Sequence, residues 1–167
     1  MTTPNSTLII IIKILNLINE KQYEYALDLL YDSRLKRINN GYKHDENHAW
    51  YLVADLFYKL GDLEGAKSAF IEAIKIWHED IDAYIGLSNI LNEQKRYKEA
   101  IIVLEEILSF SNDSRLIYNL ANNLFDQKLF LDAITQYKKI PEKDRLIYAL
   151  AVKNMKKAEK QLKFKNK

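Results

Sequence analysis

The sequence predicts an all-α protein built from repeated helix pairs, and three observations carry that expectation. Four glycines and two prolines in 167 residues are too few for the many turns of a sandwich or barrel. Ala26, Ala66, Ala100 and Ala133 fall in register within YEYALDLL, LEGAKSAF, YKEAIIVL and FLDAITQY, at separations of 40, 34 and 33 residues. Upstream of the last three alanines lie Trp50-x-x-Val53-Ala54-x-x-Phe57, Tyr84-x-x-Leu87-Ser88-x-x-Leu91 and Ile117-x-x-Leu120-Ala121-x-x-Leu124. Each places side chains at i, i+3, i+4 and i+7 of one helix face.

Taken in order, the chain opens with an apolar stretch from Leu8 to Ile18, interrupted by Lys13. It lacks a preceding basic segment and falls short of the ~20 residues that cross a bilayer, so it reads as a helix of a soluble protein. Residues 7–40 form a first repeat whose Lys13 and Ile14 depart from the pattern of the others. Six extra residues in INNGYKHDEN predict a longer second helix or a loop before the next repeat. Residues 47–80, 81–113 and 114–142 are the following repeats. RLIYALA at 145–151 echoes RLIYNLA at 115–121 and predicts a closing helix over 143–162. Its Tyr148, Ala151, Val152, Met155 and Leu162 face the last repeat, with a basic tail running to residue 167.

The best-matched stretch, residues 47–80, carries Trp50, Val53, Ala54, Phe57, Gly61, Leu63, Ala66, Phe70, Ala73 and Ile74 at fixed spacing. This resembles the tetratricopeptide repeat (TPR), a helix–turn–helix unit of 34 residues. The resemblance covers roughly residues 7–152. It implies a single domain over 1–167 in which antiparallel helix pairs stack as a right-handed α-solenoid with a terminal cap. Gly61 then falls where the first helix of a pair ends and a left-handed residue is needed. Gly65 and Ala66 fall where the two helices approach most closely.

Composition narrows the function. The chain has no cysteine, which excludes disulfides, thiol catalysis and cysteine-ligated metals and suits a reducing, cytoplasmic compartment. Of three histidines, only His44 and His48 in KHDENH approach ligand spacing. The same segment serves as the polar start of the Trp50 helix, with Asp45, Glu46 or Asn47 capping exposed amides. Glu105 and Glu106 lie on a solvated helix, and no nucleophile is held beside a base. No enzyme activity, cofactor or metal is therefore expected. Seven lysines fall within 153–167 against Glu159 alone, yet the net charge is only +2. Arginines and interleaved aromatics are missing there apart from Phe164, so nucleic acid is not the expected partner. An excess of isoleucine, asparagine and lysine suggests an AT-rich, bacterial genome.

The resemblance directs attention to the first helices of the repeats, which line a concave groove in TPR arrays. Carried over, the second repeat contributes Tyr51, Leu52, Asp55 and Tyr58, and the third Ile85, Asn89 and Asn92. The fourth contributes Arg115, Tyr118, Asn119, Asn122 and Phe125, and Tyr148 continues the line. Asparagine both donates to and accepts from a peptide backbone, and tyrosine adds rigid apolar area with a polar tip. The expected role is a protein-binding adaptor or chaperone-like module that takes an extended peptide segment. The alternative is a structural subunit, a homodimer among the possibilities, assembled through Leu8, Ile11, Ile12 and Leu15. These four form a patch too apolar to stay in water.

Overall fold

The computed structural model describes residues 4–39, 42 and 45–165, with side chains for 9, 11–39, 42 and 45–163. Its helices are α1 (Pro4–Asn19), α2 (Tyr23–Leu30), α3 (Glu46–Lys59), α4 (Leu63–Ile76), α5 (Ile81–Glu93), α6 (Tyr97–Leu108), α7 (Ser114–Asp126), α8 (Phe130–Tyr137) and α9 (Arg145–Lys165). Two short strands, β1 (Tyr31–Asp32) and β2 (Arg37–Ile38), follow α2. The chain divides into two compact units, Met1–Ala83 and Tyr84–Lys167.

In the first unit α1 packs on α2, α2 on α3 and α3 on α4. The repeat alanines form the closest contacts: Ala26 and Ala66 are fully buried, as are Ala100 and Ala133 in the second unit. A methyl is all that fits between neighbouring helices there. The side chain of Ile14, which breaks the sequence pattern, is 1% exposed and joins this core.

The segment after Ala26 differs from the expectation of a longer second helix or a loop. α2 stops at Leu30, and Tyr31 pairs antiparallel with Ile38 and Asp32 with Arg37. The turn is closed by the Asp32 carboxylate, whose Oδ1 accepts from the amides of Arg34 and Leu35 at 3.0 Å each. Asp and Ser placed directly after a helix compete with it through such local bonds. That is why α2 ends early.

The four turns joining the helices of a pair share one geometry. Lys21, Gly61, Lys95 and Lys128, each five residues before a repeat alanine, have φ of 59°, 82°, 60° and 64°. In each, the residue's own amide bonds three back, and the next amide bonds five back: Lys95 to Asn92 and Arg96 to Leu91, both at 2.8 Å, are typical. This is the Schellman ending, which satisfies the last carbonyls of a helix. Gly61 meets the sequence expectation, and three lysines adopt the same left-handed conformation without glycine's freedom.

Gly65 is also placed as expected, in a close approach. A Cβ there would lie 2.5 Å from Asp62 Oδ2 and 2.9 Å from Phe57 Cδ1. Asp62 caps α4 by accepting from the Gly65 amide at 2.8 Å. The polar start of α3 departs from the sequence reading. Asp45 makes no side-chain cap bond, and Asn47 instead donates to the carbonyl of Ala73 and to Asp80 Oδ2, both at 3.0 Å. The buried Asp80 in turn accepts from the Ala83 amide at 3.0 Å. Asn47 thus ties the start of α3 to the end of α4 and the start of α5.

In the second unit α6 packs on α7, α7 on α8, and α9 on both α7 and α8. α9 begins two residues later than expected, at Arg145, and runs to Lys165. Its Ala151 and Ala158 are buried, and Ala158 sits with Phe130 and Ile134 in a cluster joined by Phe125, Met155 and Leu162. The closing role assigned to this helix is therefore built from small residues as well as large ones.

Candidate functional site

The predicted groove residues fall in both units, and each group has its own surroundings. On α3, Tyr51 stacks on His48 with ring centroids 6.3 Å apart and meets Phe70 edge-on at 5.6 Å. Its hydroxyl pKa is raised by burial first, then by Asp82, Asp55 and Asp80. Asp55 pairs with Lys59 at 3.2 Å, Leu52 is half-buried, and Tyr58 is 46% exposed. His44 lies outside the described residues. Among the described residues, no group of three or more His, Asp or Glu is arranged to hold a metal.

In the second unit, Asn89, Asn92, Asn119, Asn122 and Phe125 surround a single recess of about 320 Å³. Asn123, Asp126, Tyr137, Asn154 and Lys157 complete its wall. Four helices supply it: α5 and α7 at successive turns, α8 through Tyr137, and α9 from the closing end. Ile85 is half-buried on α5. Arg115 forks onto its neighbour Asp113 at 3.1 Å instead. Burial works to raise the Asp113 carboxyl, but hydrogen bonds and charge from Arg115 hold it below the usual carboxylate range. Tyr148 donates to Glu142 at 3.1 Å, outside the recess.

The asparagines are linked by a ladder of side-chain bonds. Asn92 donates to Asn123 Oδ1 at 3.0 Å and to Asp126 Oδ2 at 2.9 Å, joining α5 to α7. Asn154 donates to Tyr118 Oη at 3.0 Å and to Asn122 Oδ1 at 3.1 Å, joining α9 to α7. Tyr137 of α8 donates to the same Asn122 oxygen at 2.6 Å. Asn119 and Asn123 each donate down their own helix, to the carbonyls of Arg115 and Asn119 at 2.8 and 2.9 Å.

The bonds that remain define what the recess offers a ligand. The side-chain oxygens of Asn92, Asn119 and Asn154 accept nothing from the described residues, the Asn122 amide nitrogen donates nothing, and Asn89 is exposed on the rim. Acceptors and donors thus face the same small space, which matches the alternating groups of a polypeptide backbone. Sequence reasoning missed Asn123, Tyr137 and Asn154. The Asn122–Asn123 pair marks the first, and the apolar residue four after Ala133 marks the second. Nothing marks the third, because aligning α9 with α7 sets Asn154 opposite Leu124.

Residues 57–116 match the tetratricopeptide repeat family. A TPR repeat-containing protein of Methanocaldococcus jannaschii is 28% identical over 75 residues, 45% of this chain and 13% of that protein. The matched stretch therefore spans far less than two thirds of that relative's length. Among solved structures, MamA 41-end from Desulfovibrio magneticus RS-1 aligns over 96% of this chain and 97% of its own, at 17% identity and a TM-score of 0.64. MamA from MSR-1 aligns over 92% and 95%, at 14% identity and a TM-score of 0.58. The family match, the repeat period and the helix-pair fold agree. Residues 57–116 therefore carry the tetratricopeptide-repeat pattern, and the fold of the chain is TPR-like. At these identities the likeness to MamA concerns fold alone, and the TPR fold is one that supports protein–protein interaction. No described helix is long and apolar enough to cross a membrane.

Proposed function

We propose that this TPR-like protein is a non-enzymatic adaptor or chaperone-like module, working in the cytoplasm, that binds an extended segment of a partner protein along α5, α7 and α9. The observation that carries the reading is the asparagine recess, where a braced set of amides keeps unused donors and acceptors beside Phe125. Bracing matters because side chains already held by neighbours lose little freedom on binding. The lysine-rich end of α9 serves as a solvated helix end in this reading, without a nucleic acid.

Asn89 gives the cleanest test, because its side chain is exposed and makes no bond to the described residues. Asn89→Trp fills the rim without touching the ladder. A partner retained by the immobilised wild type and released by this variant, with unchanged circular dichroism and unfolding midpoint, supports the groove. Equal recovery on both overturns it.

A second reading, self-assembly through α1, has one observation of its own. Ile9, Ile12 and Leu15 are 65%, 49% and 46% exposed and Ile11 is 36% exposed, all on one helix. The side chain of Leu8, named in the same patch, lies outside the described residues.

A further inference from the structure

The second unit holds a further concavity besides the asparagine recess. It is a cleft of about 710 Å³ where the start of α7 meets the segment between α8 and α9. Six charged side chains line it, four basic and two acidic, so cations are in excess by two. Asp113 holds Arg115 at 3.1 Å, and the Asp144 carboxylate accepts from the buried Ser114 hydroxyl. Lys139, Lys143 and Arg145 remain exposed and form no ion pair with the described residues.

Beside these cations the cleft is apolar. Ile117, Pro141, Leu146 and Ile147 line it, and Leu146 is 83% exposed, the most exposed large hydrophobic side chain described. No aromatic ring lines the cleft, so bases have no platform to stack on. Lys139, Lys143 and Arg145 outnumber the Asp144 carboxylate three to one, and such an excess of cations around apolar side chains complements carboxylates that flank an apolar side chain.

We propose that this cleft docks an acidic segment of a partner protein, with a leucine-sized side chain seated on Leu146 and its neighbours and flanking carboxylates held by Lys139, Lys143 and Arg145. The site is distinct from the asparagine recess, so either stands if the other fails.

The test uses a fluorescein-labelled peptide of glutamates flanking leucines, read by anisotropy against a peptide with serine in place of leucine. Replacing Lys139, Lys143 and Arg145 together by glutamine lowers affinity about tenfold and flattens the salt dependence. Leu146→Ser weakens the leucine peptide several-fold and leaves the serine peptide unchanged. Replacing Lys153, Lys156 and Lys160 on α9 by glutamine changes neither. All the replaced side chains are exposed, and circular dichroism confirms that each variant is folded. Three results overturn the proposal: retained affinity in the triple cleft variant, an equal loss in the α9 variant, or tighter binding of a single-stranded oligonucleotide of the same charge.

Discussion

The Tyr137 hydroxyl donates to Asn122 Oδ1 at 2.6 Å, and that oxygen also accepts from Asn154. Tyr137 is 2% exposed, and burial pushes its ionisation well above the ordinary tyrosine range. Asn122→Leu leaves the buried Tyr137 hydroxyl unpaired and removes one of the two bonds of the Asn154 amide, which keeps its bond to Tyr118; the loss is about 1–3 kcal/mol. Adding Tyr137→Phe to Asn122→Leu recovers part of that loss, because the orphaned hydroxyl is gone. Urea unfolding of the two variants measures both steps. It also shows why Asn122 is a poor position for testing ligand binding: its replacement alters stability first.

Asn47 is the corresponding tie in the first unit. Asn47→Leu removes the donor to Asp80 Oδ2 and the second donor to the Ala73 carbonyl, which the Trp77 amide still reaches, and is expected to destabilise by about 1–3 kcal/mol. Amide exchange at Ala83, whose donor is held by the same Asp80, accelerates in the variant. Unchanged exchange there means that Asp80 is positioned without Asn47.

Gly61 and Gly65 lie in one turn yet predict different losses. Gly61→Ala meets no atom within 4 Å but must hold φ near +82°, a strain of about 1–2 kcal/mol. Gly65→Ala collides with Asp62 and Phe57, and moving Asp62 also removes the cap of α4, for a loss of about 1–3 kcal/mol. Thermal unfolding of the single variants separates strain from collision. Asp62→Ala lessens the cost of Gly65→Ala and leaves that of Gly61→Ala unchanged.

Tyr84 on α5 donates to Glu106 Oε1 on α6 at 3.1 Å, and burial, reinforced by that carboxylate, pushes its hydroxyl up to about 12. An unfolded tyrosine ionises near 10, so the folded value is the higher one. The corresponding stability is fully present below pH 10 and is lost as pH climbs through 12. Absorbance at about 295 nm should show Tyr84 among late-ionising tyrosines, and Tyr84→Phe should flatten the decline in stability over that window.

Self-association through α1 predicts a concentration-dependent mass by light scattering, lost in Ile12→Glu plus Leu15→Glu. Burying each such side chain is worth roughly 1.5–3 kcal/mol before the cost of association. A wild type that stays monomeric at tens of micromolar, roughly, removes this reading.

The repeat frame was legible because a buried alanine and an i, i+3, i+4, i+7 stripe are local consequences of helix packing, visible wherever Ala66 or Ala100 stands. The β1–β2 hairpin was not, because Tyr31 to Ile38 keeps enough apolar residues to continue a helix and only Asp32 and Ser33 argue otherwise. Which residues line the recess was partly legible. Asn89, Asn92, Asn119 and Asn122 do surround one recess, but sequence spacing says which face a side chain occupies and not which neighbour already holds its amide. Arg115 shows the same gap, since Asp113 lies only two residues away and captures it.

The lysines in the left-handed turns mark places where the chain holds a conformation its side chain resists. Lys21→Gly, Lys95→Gly and Lys128→Gly each remove a strain of about 1–2 kcal/mol against an entropy cost of about 0.5–1 kcal/mol, and none touches the core. The three changes together should raise the melting temperature while stripping three positive charges. They offer an engineering route to a sturdier, less basic scaffold whose recess and cleft keep their linings unchanged.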